Sequence, residues 1–215
     1  MKITAERKER FRGVVSRRQK DLTVILENVH DPHNIGAVLR SCDSVGIREI
    51  FVLYTEPELQ KIDKLEMGRR TSSGARKWID VHFYTDPVPC FAHVRRNYQT
   101  ILATHLNAEA RNLYDLDLTQ SVALMFGNEH DGLSKEALNH ADGNFLIPQM
   151  GMVKSLNISV ACAVTLYEGL RQRREAGLYD VHNRMTKTEK DDLLTEYLHR
   201  HEQRLSGKNV HRKND

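Results

Sequence analysis

The segment 145–161 constrains the fold most strongly, because it combines a strand, a loop and the start of a helix. Residues 145–147 predict a strand that Pro148 ends, since proline has no N–H to donate to a sheet. Ser155 is predicted to cap a helix that runs to about Ala176. Such a junction presents free backbone N–H groups at one edge of an α/β sheet, where ligands bind. An ordinary strand-to-helix connection has the same pattern, so the segment alone leaves both interpretations open.

Short apolar runs alternate with helical patterns along the rest of the chain. Further predicted strands cover 22–27, 49–54, 81–84, 100–106 and 121–126, and predicted helices cover 4–20, 35–45, 87–97, 135–140 and 188–205. This alternation predicts an α/β domain with a mainly parallel sheet in residues 21–178. Residues 1–20 form a basic N-terminal helix in this interpretation, and residues 179–215 form a charged C-terminal extension.

Charge is distributed unevenly along the chain, although the net charge is only +3. Residues 1–20 carry a charge of +6 and residues 171–215 carry +3, so the middle of the chain carries −6. Basic ends on an acidic core favour contact of the ends with a polyanion, although solvated helix faces would give the same pattern. The candidate RNA contacts in the first helix are Arg7, Arg10, Arg12, Arg17 and Arg18.

Neither a membrane nor an oxidising compartment is indicated. The chain has no apolar run of membrane-spanning length and no apolar signal region at its start. Its three cysteines are widely spaced and form no CxxC pair, which favours buried, reduced thiols. We therefore expect a cytoplasmic protein.

Two polar positions stand out at the ends of predicted elements. The run 127–132 follows a strand, but it has neither the glycine spacing of a dinucleotide site nor the lysine of a P-loop. Within that run, Glu129 places a carboxylate at the end of a strand, where it serves either a ligand or the next helix. Arg40 lies on a helix whose other faces are apolar, and it needs an anionic substrate, a salt bridge or solvent.

The chain has eleven histidines, a residue that often binds metals, but their spacing does not indicate a metal site. His30 and His33, like His199 and His201, have no cysteines nearby and no HExxH spacing. The sequence therefore predicts no metal site.

Three segments, in order along the chain, resemble the three motifs of the SpoU/TrmH branch of the SPOUT RNA 2′-O-methyltransferases. They are PHNIGAVLR at 32–40, LMFGNEHDGL at 124–133, and IPQM followed by SLNISVA within 147–161. The resemblance covers roughly residues 15–180. It is greatest to the members that methylate guanosine 18 of tRNA.

The resemblance implies a homodimer with a deep trefoil knot in roughly residues 121–178, S-adenosylmethionine as cofactor, and tRNA as substrate. Its implied cofactor-binding residues are Thr104, Gly127, Ile147, Met152 and Leu156. Its implied catalytic residues are Arg40, Glu129, Ser155 and Asn157, with Asn34 facing the RNA. The family's proposed base is Arg40, but a guanidinium normally stays charged, so a role in positioning the substrate is equally open.

Two other functions stay open at this point. The first is 2′-O-methylation of rRNA or of another tRNA position. The second is a non-catalytic RNA-binding protein of the same fold, which the presence of Arg40 and Asn157 disfavours.

Overall fold

A computed structural model describes residues 3–61, 72 and 74–205. Within these residues, seven strands form one sheet in the order β3-β2-β1-β6-β4-β7-β5, and every neighbouring pair is parallel. The strands are β1 (Leu22–Glu27), β2 (Glu49–Leu53), β3 (Asp80–Tyr84), β4 (Thr100–Thr104), β5 (Arg111–Asn112), β6 (Val122–Phe126) and β7 (Gly143–Leu146). The predicted α/β class with a mainly parallel sheet is confirmed.

Helices cover both faces of this sheet. They are α1 (Ala5–Val15), α2 (Pro32–Ser44), α3 (Pro87–Asn97), α4 (Lys135–Leu138), α5 (Ile158–Glu175) and α6 (Lys187–Leu205). Buried side chains of α2 and α5 pack on one face, and those of α3 and α4 pack on the other. The central strands β1 and β6 are buried along their whole length, which explains their nearly continuous apolar sequences. No described helix is both long and apolar enough to span a membrane.

Two helix starts differ from the sequence prediction because other side chains cap them. α5 begins at Ile158, where the Asn157 side chain accepts a hydrogen bond from the Ser159 amide at 2.9 Å. Ser155 therefore lies in the loop, and its prediction as the cap was wrong. α2 begins earlier than predicted, at Pro32, because Asp31 caps it and proline suits the first helical position.

The N-terminal helix packs against the C-terminal helix. Phe11 and Val15 of α1 are buried, and Phe11 lies 5.3 Å from Trp78 and 6.5 Å from Tyr197 of α6, measured between ring centroids. α1 ends at Val15, well before the predicted Lys20. This helix is thus anchored to the rest of the protein through its apolar stripe.

A buried arginine joins the end of α5 to the start of the sheet. Arg173 has no solvent exposure, and its guanidinium pairs with the Asp21 carboxylate at 2.7 Å. It also donates to the backbone carbonyls of Leu118 and Gln120 at 2.8 and 2.6 Å. These bonds satisfy a charge that would otherwise be costly to bury, and they fix α5 relative to β1 and β6.

Candidate active site

A cleft of about 470 Å³ opens where β4, β6 and β7 end. The carboxyl ends of parallel strands meet at one edge of a sheet, so the loops that follow them converge there. Residues from all three loops and from the segment before α5 line the cleft, including Thr104, Gly127, Glu129, Ile147, Ser155 and Leu156. The volume lies within the range of small-molecule sites, which is roughly 300–1,000 Å³.

Four of the five predicted cofactor residues are brought together in this cleft. Thr104, Gly127, Ile147 and Leu156 line it, and the Thr104 hydroxyl donates to the Met125 carbonyl at 3.2 Å. The fifth, Met152, is 99% exposed and does not line the cleft. Its side chain is therefore not positioned to contact a ligand there.

Gly127 is required by the protein's own backbone. A Cβ atom at this position would lie 2.1 Å from the Gly132 carbonyl carbon and 2.4 Å from the Leu133 nitrogen. The loop closes on itself because the Asn128 amide donates to the Gly132 carbonyl at 3.2 Å. This close contact within the loop explains the glycine.

A chain of side-chain hydrogen bonds joins the three sequence motifs. Asn34 of α2 donates through its amide to the Glu129 carboxylate. Asn157 donates to the side-chain oxygen of Asn34 at 3.2 Å. Asn34 is only 8% exposed, so its amide is committed to this chain and is not presented to RNA as predicted. Glu129 lines the cleft, so the chain runs from the N-terminus of α2 to the wall of the cleft.

Arg40 lies on the same helix but outside that chain. It is exposed, and no described residue forms a hydrogen bond or an ion pair with it. Six residues separate it from Asn34, which corresponds to about 9 Å along the helix axis. Among the described residues the alternative of a salt bridge is thus not realised, and they leave the guanidinium available to an anionic substrate.

Sequence reasoning missed a buried carboxylate beneath the cleft loop. Glu27 ends β1 with no solvent exposure and accepts hydrogen bonds from the Ser134 amide at 2.8 Å and the Ser134 hydroxyl at 2.5 Å. Ser134 in turn caps α4. A glutamate at the end of an otherwise apolar strand was the signal that could have identified this anchor.

The arginines predicted to contact RNA fall into two groups. Arg10, Arg12 and Arg17 are exposed, and Arg7 is partly buried over the Phe11 ring. Arg18 is 1% exposed and bonds to the Asp43 carboxylate at 2.6 Å and the Ile47 carbonyl at 2.9 Å. These partners lie just at and beyond the C-terminal end of α2, where a cation is favoured. Arg18 is therefore corrected to a structural residue.

Known proteins match the chain over most of its length. The SpoU rRNA methylase family matches residues 21–167. A tRNA (guanosine(18)-2'-O)-methyltransferase of Thermus thermophilus is 44% identical over 177 residues, 82% of this chain and 88% of that protein. The crystal structure of the A. aeolicus TrmH/SpoU tRNA modifying enzyme has a TM-score of 0.77 at 34% identity, covering 90% of this chain and 95% of that one.

Some of the similar structures contain a cofactor. The SpoU methyltransferase AviRb from Streptomyces viridochromogenes, in complex with the cofactor AdoMet, has a TM-score of 0.64 at 28% identity. The match covers 73% of this chain and 59% of that one.

The range that matches the family, 21–167, includes all three sequence motifs.

Proposed function

The chain belongs to the SpoU rRNA methylase family, and from this premise we propose that it methylates the ribose 2′-hydroxyl of guanosine 18 in tRNA. The observation that carries the proposal is the hydrogen-bonded chain of Glu129, Asn34 and Asn157. It joins all three motifs at one wall of a cleft of cofactor size. Among the relatives, the Thermus thermophilus protein is named for this tRNA position.

S-adenosylmethionine is the cofactor that fits the cleft. Ile147 and Leu156 supply apolar surface for the faces of an adenine ring, and the converging loops supply backbone polar groups for its edge. The Glu129 carboxylate places negative charge in the same cleft, which suits a cationic sulfonium. When bound, this cofactor supplies an electrophilic methyl group.

The protein's own residues then position the acceptor. In the reaction, the ribose oxygen forms a bond to the methyl carbon as the carbon–sulfur bond breaks, the electron pair of that bond stays on sulfur, and the hydroxyl proton passes to water. Arg40 is charged, exposed and unpaired among the described residues, so it binds a phosphate or the ribose of the substrate. Asn34 and Asn157 hold Glu129 and the start of α5 in place. Correct positioning supplies much of the rate for such a transfer.

The active unit in this proposal is a knotted homodimer. The knot would lie in roughly residues 121–178, and residues 1–20 and 179–215 would flank the methyltransferase domain. α5 exposes Val160 (46%) and Tyr167 (52%) next to α2, where the Tyr167 hydroxyl donates to the Ser44 hydroxyl at 3.4 Å. Arg40 lies one turn from Ser44, so a second copy that covers this face would bring Arg40 into the interface. This arrangement would be rejected if light scattering shows a monomer at a concentration at which the protein is active.

The substrate class rests on charge as well as on the relatives. Arg10, Arg12 and Arg17 are exposed beside a domain of net negative charge, and phosphate contacts give affinity without reading sequence. We place the reaction in the cytoplasm, where a tRNA substrate is available.

The experiment is methyl transfer from labelled cofactor to unmodified tRNA transcripts and to rRNA, followed by nuclease mapping. The proposal expects 2′-O-methylguanosine at position 18 of tRNA. Label found only in rRNA would favour the alternative that the family name suggests. Binding of RNA without any methyl transfer would identify a non-catalytic RNA-binding protein.

A further inference from the structure

Two histidines and a glutamate meet on the opposite face of the sheet from α2 and α5, away from the cleft. Glu49 begins β2, His82 lies on the neighbouring strand β3, and His93 lies on α3, which packs over both strands. One potential ligand atom from each of the three lies within 4.8 Å of the others. Among the described residues this is the one such group of three, and none of its members lines the cleft.

We propose that Glu49, His82 and His93 form a binding site for a divalent transition metal, with zinc as the preferred ion. Two imidazoles and one carboxylate are a ligand set that zinc accepts, with a water molecule in the fourth position. The ligand atoms around a tetrahedral zinc lie about 3.3 Å apart. His82 Nε2 and the Glu49 carboxylate lie 2.8 Å apart, a hydrogen-bond distance, and a bound ion would take the place of the proton between them.

The surroundings of each ligand support this assignment. The hydroxyl of Tyr84 lies 2.6 Å from Nδ1 of His93, so a ring with its proton on Nδ1 donates to Tyr84 and keeps the other nitrogen free. The Glu49 oxygen that does not contact His82 accepts a hydrogen bond from the Tyr98 hydroxyl at 2.9 Å. The His82 ring stacks on Phe51 at 5.1 Å between centroids. Outer partners of this kind orient the ligands of metal sites.

The site is also accessible to an ion. The side chains of His82 and Glu49 are 26% and 19% exposed, so an ion can enter. A bound ion would link β2, β3 and α3.

The test uses the full-length protein after dialysis against a chelator. Calorimetric titration with zinc chloride should show one ion bound per chain, and the melting temperature should rise with zinc concentration. Cobalt(II) should give the visible absorption of a four-coordinate ion. The absence of saturable zinc binding, or a cobalt spectrum typical of six oxygen ligands, would overturn the proposal without any variant.

Variants then assign the ligands. Glu49→Gln and His93→Gln should abolish the high-affinity binding, and His182→Gln, at an exposed histidine elsewhere, should not change it. Tyr84→Phe removes one hydroxyl and leaves the ring, so zinc affinity should fall by about 10- to 100-fold if this partner orients His93. Circular dichroism checks that each variant is folded. Unchanged affinity in folded Glu49→Gln and His93→Gln proteins would place the bound zinc elsewhere and refute the assignment.

Discussion

Replacing Asn34 with alanine should disconnect the three motifs at the cleft. The variant loses a hydrogen bond to the Glu129 carboxylate, worth about 1.5 to 3 kcal/mol, and one from Asn157, worth about 0.5 to 1.5 kcal/mol. The free energy of unfolding should therefore fall by about 2 to 4.5 kcal/mol. For a chain of this length the melting temperature should fall by about 4 to 18 °C.

The effect on turnover should exceed the effect on stability. Glu129 and Asn157 lose their common partner, and a displacement of about 1 Å in a catalytic group costs on the order of 100-fold in rate. The assay is single-turnover methyl transfer to a tRNA transcript, at a temperature where circular dichroism shows the variant to be folded.

Asn183→Ala is the matched control. Asn183 donates to the carbonyls of Arg18 and Leu178 and accepts from the Met185 amide, at 3.1 Å each, and none of these residues lines the cleft. Its loss should lower the free energy of unfolding by about 1.5 to 4.5 kcal/mol and leave turnover unchanged. If Asn34→Ala and Asn183→Ala have equal single-turnover rates, the hydrogen-bonded chain does not organise the active site.

Three further predictions concern other parts of the protein. Arg40→Ala should keep near-normal cofactor affinity by calorimetry while turnover falls by orders of magnitude, and full turnover would remove Arg40 from the site. Changing Arg10, Arg12 and Arg17 together to glutamine should lower the slope of log affinity for tRNA against log salt by about 2 to 3, and an unchanged slope would show that RNA binds elsewhere. Burial raises the pKa of Asp142, but hydrogen bonds from Arg95 outweigh it and hold this pKa below its usual 3.8. The ionised carboxylate stabilises the protein above its usual pKa, and this stabilisation is lost as pH falls. Asp142→Asn should therefore lower the free energy of unfolding, measured by urea denaturation, by at most about 1 kcal/mol at neutral pH and by less in acid. An equal loss at both pH values would contradict this prediction.

Deleting residues 1–16 would be a poor test of RNA binding. The deletion removes Phe11 and Val15, and burial of each contributes about 1.5 to 3 kcal/mol. A large fall in stability would therefore accompany any fall in affinity. The glutamine variants keep this apolar contact and isolate the charges.

The sequence predicted the strands well because β1 and β6 are buried on both faces. Their continuous apolar runs have few alternative structures in a domain of this size. β5 was missed because two residues, Arg111 and Asn112, carry no periodic signal. The start of α5 was misplaced because Ser155 and Asn157 are both good capping residues, and only the folded loop selects Asn157.

Sequence reasoning named several residues that line the cleft, but not the contacts between them. Thr104, Gly127, Ile147 and Leu156 were assigned by resemblance, and the fold brings them to one cleft. That Asn34 bridges Glu129 and Asn157 depends on how α2 packs against the loops, which no local pattern encodes. Arg17 is exposed and Arg18 is buried, and this difference depends in the same way on where the C-terminal end of α2 lies.

The most direct measurement of the central claim uses a tRNA that differs from the normal substrate by one oxygen atom. A transcript assembled with 2′-deoxyguanosine at position 18 keeps the base, the fold and the phosphates but lacks the proposed acceptor. We expect methyl incorporation into the unmodified transcript to reach one methyl group per tRNA, whereas the deoxy transcript should accept none while still binding the protein. Equal incorporation into both transcripts would contradict this expectation, because the methyl group would then be placed on another atom.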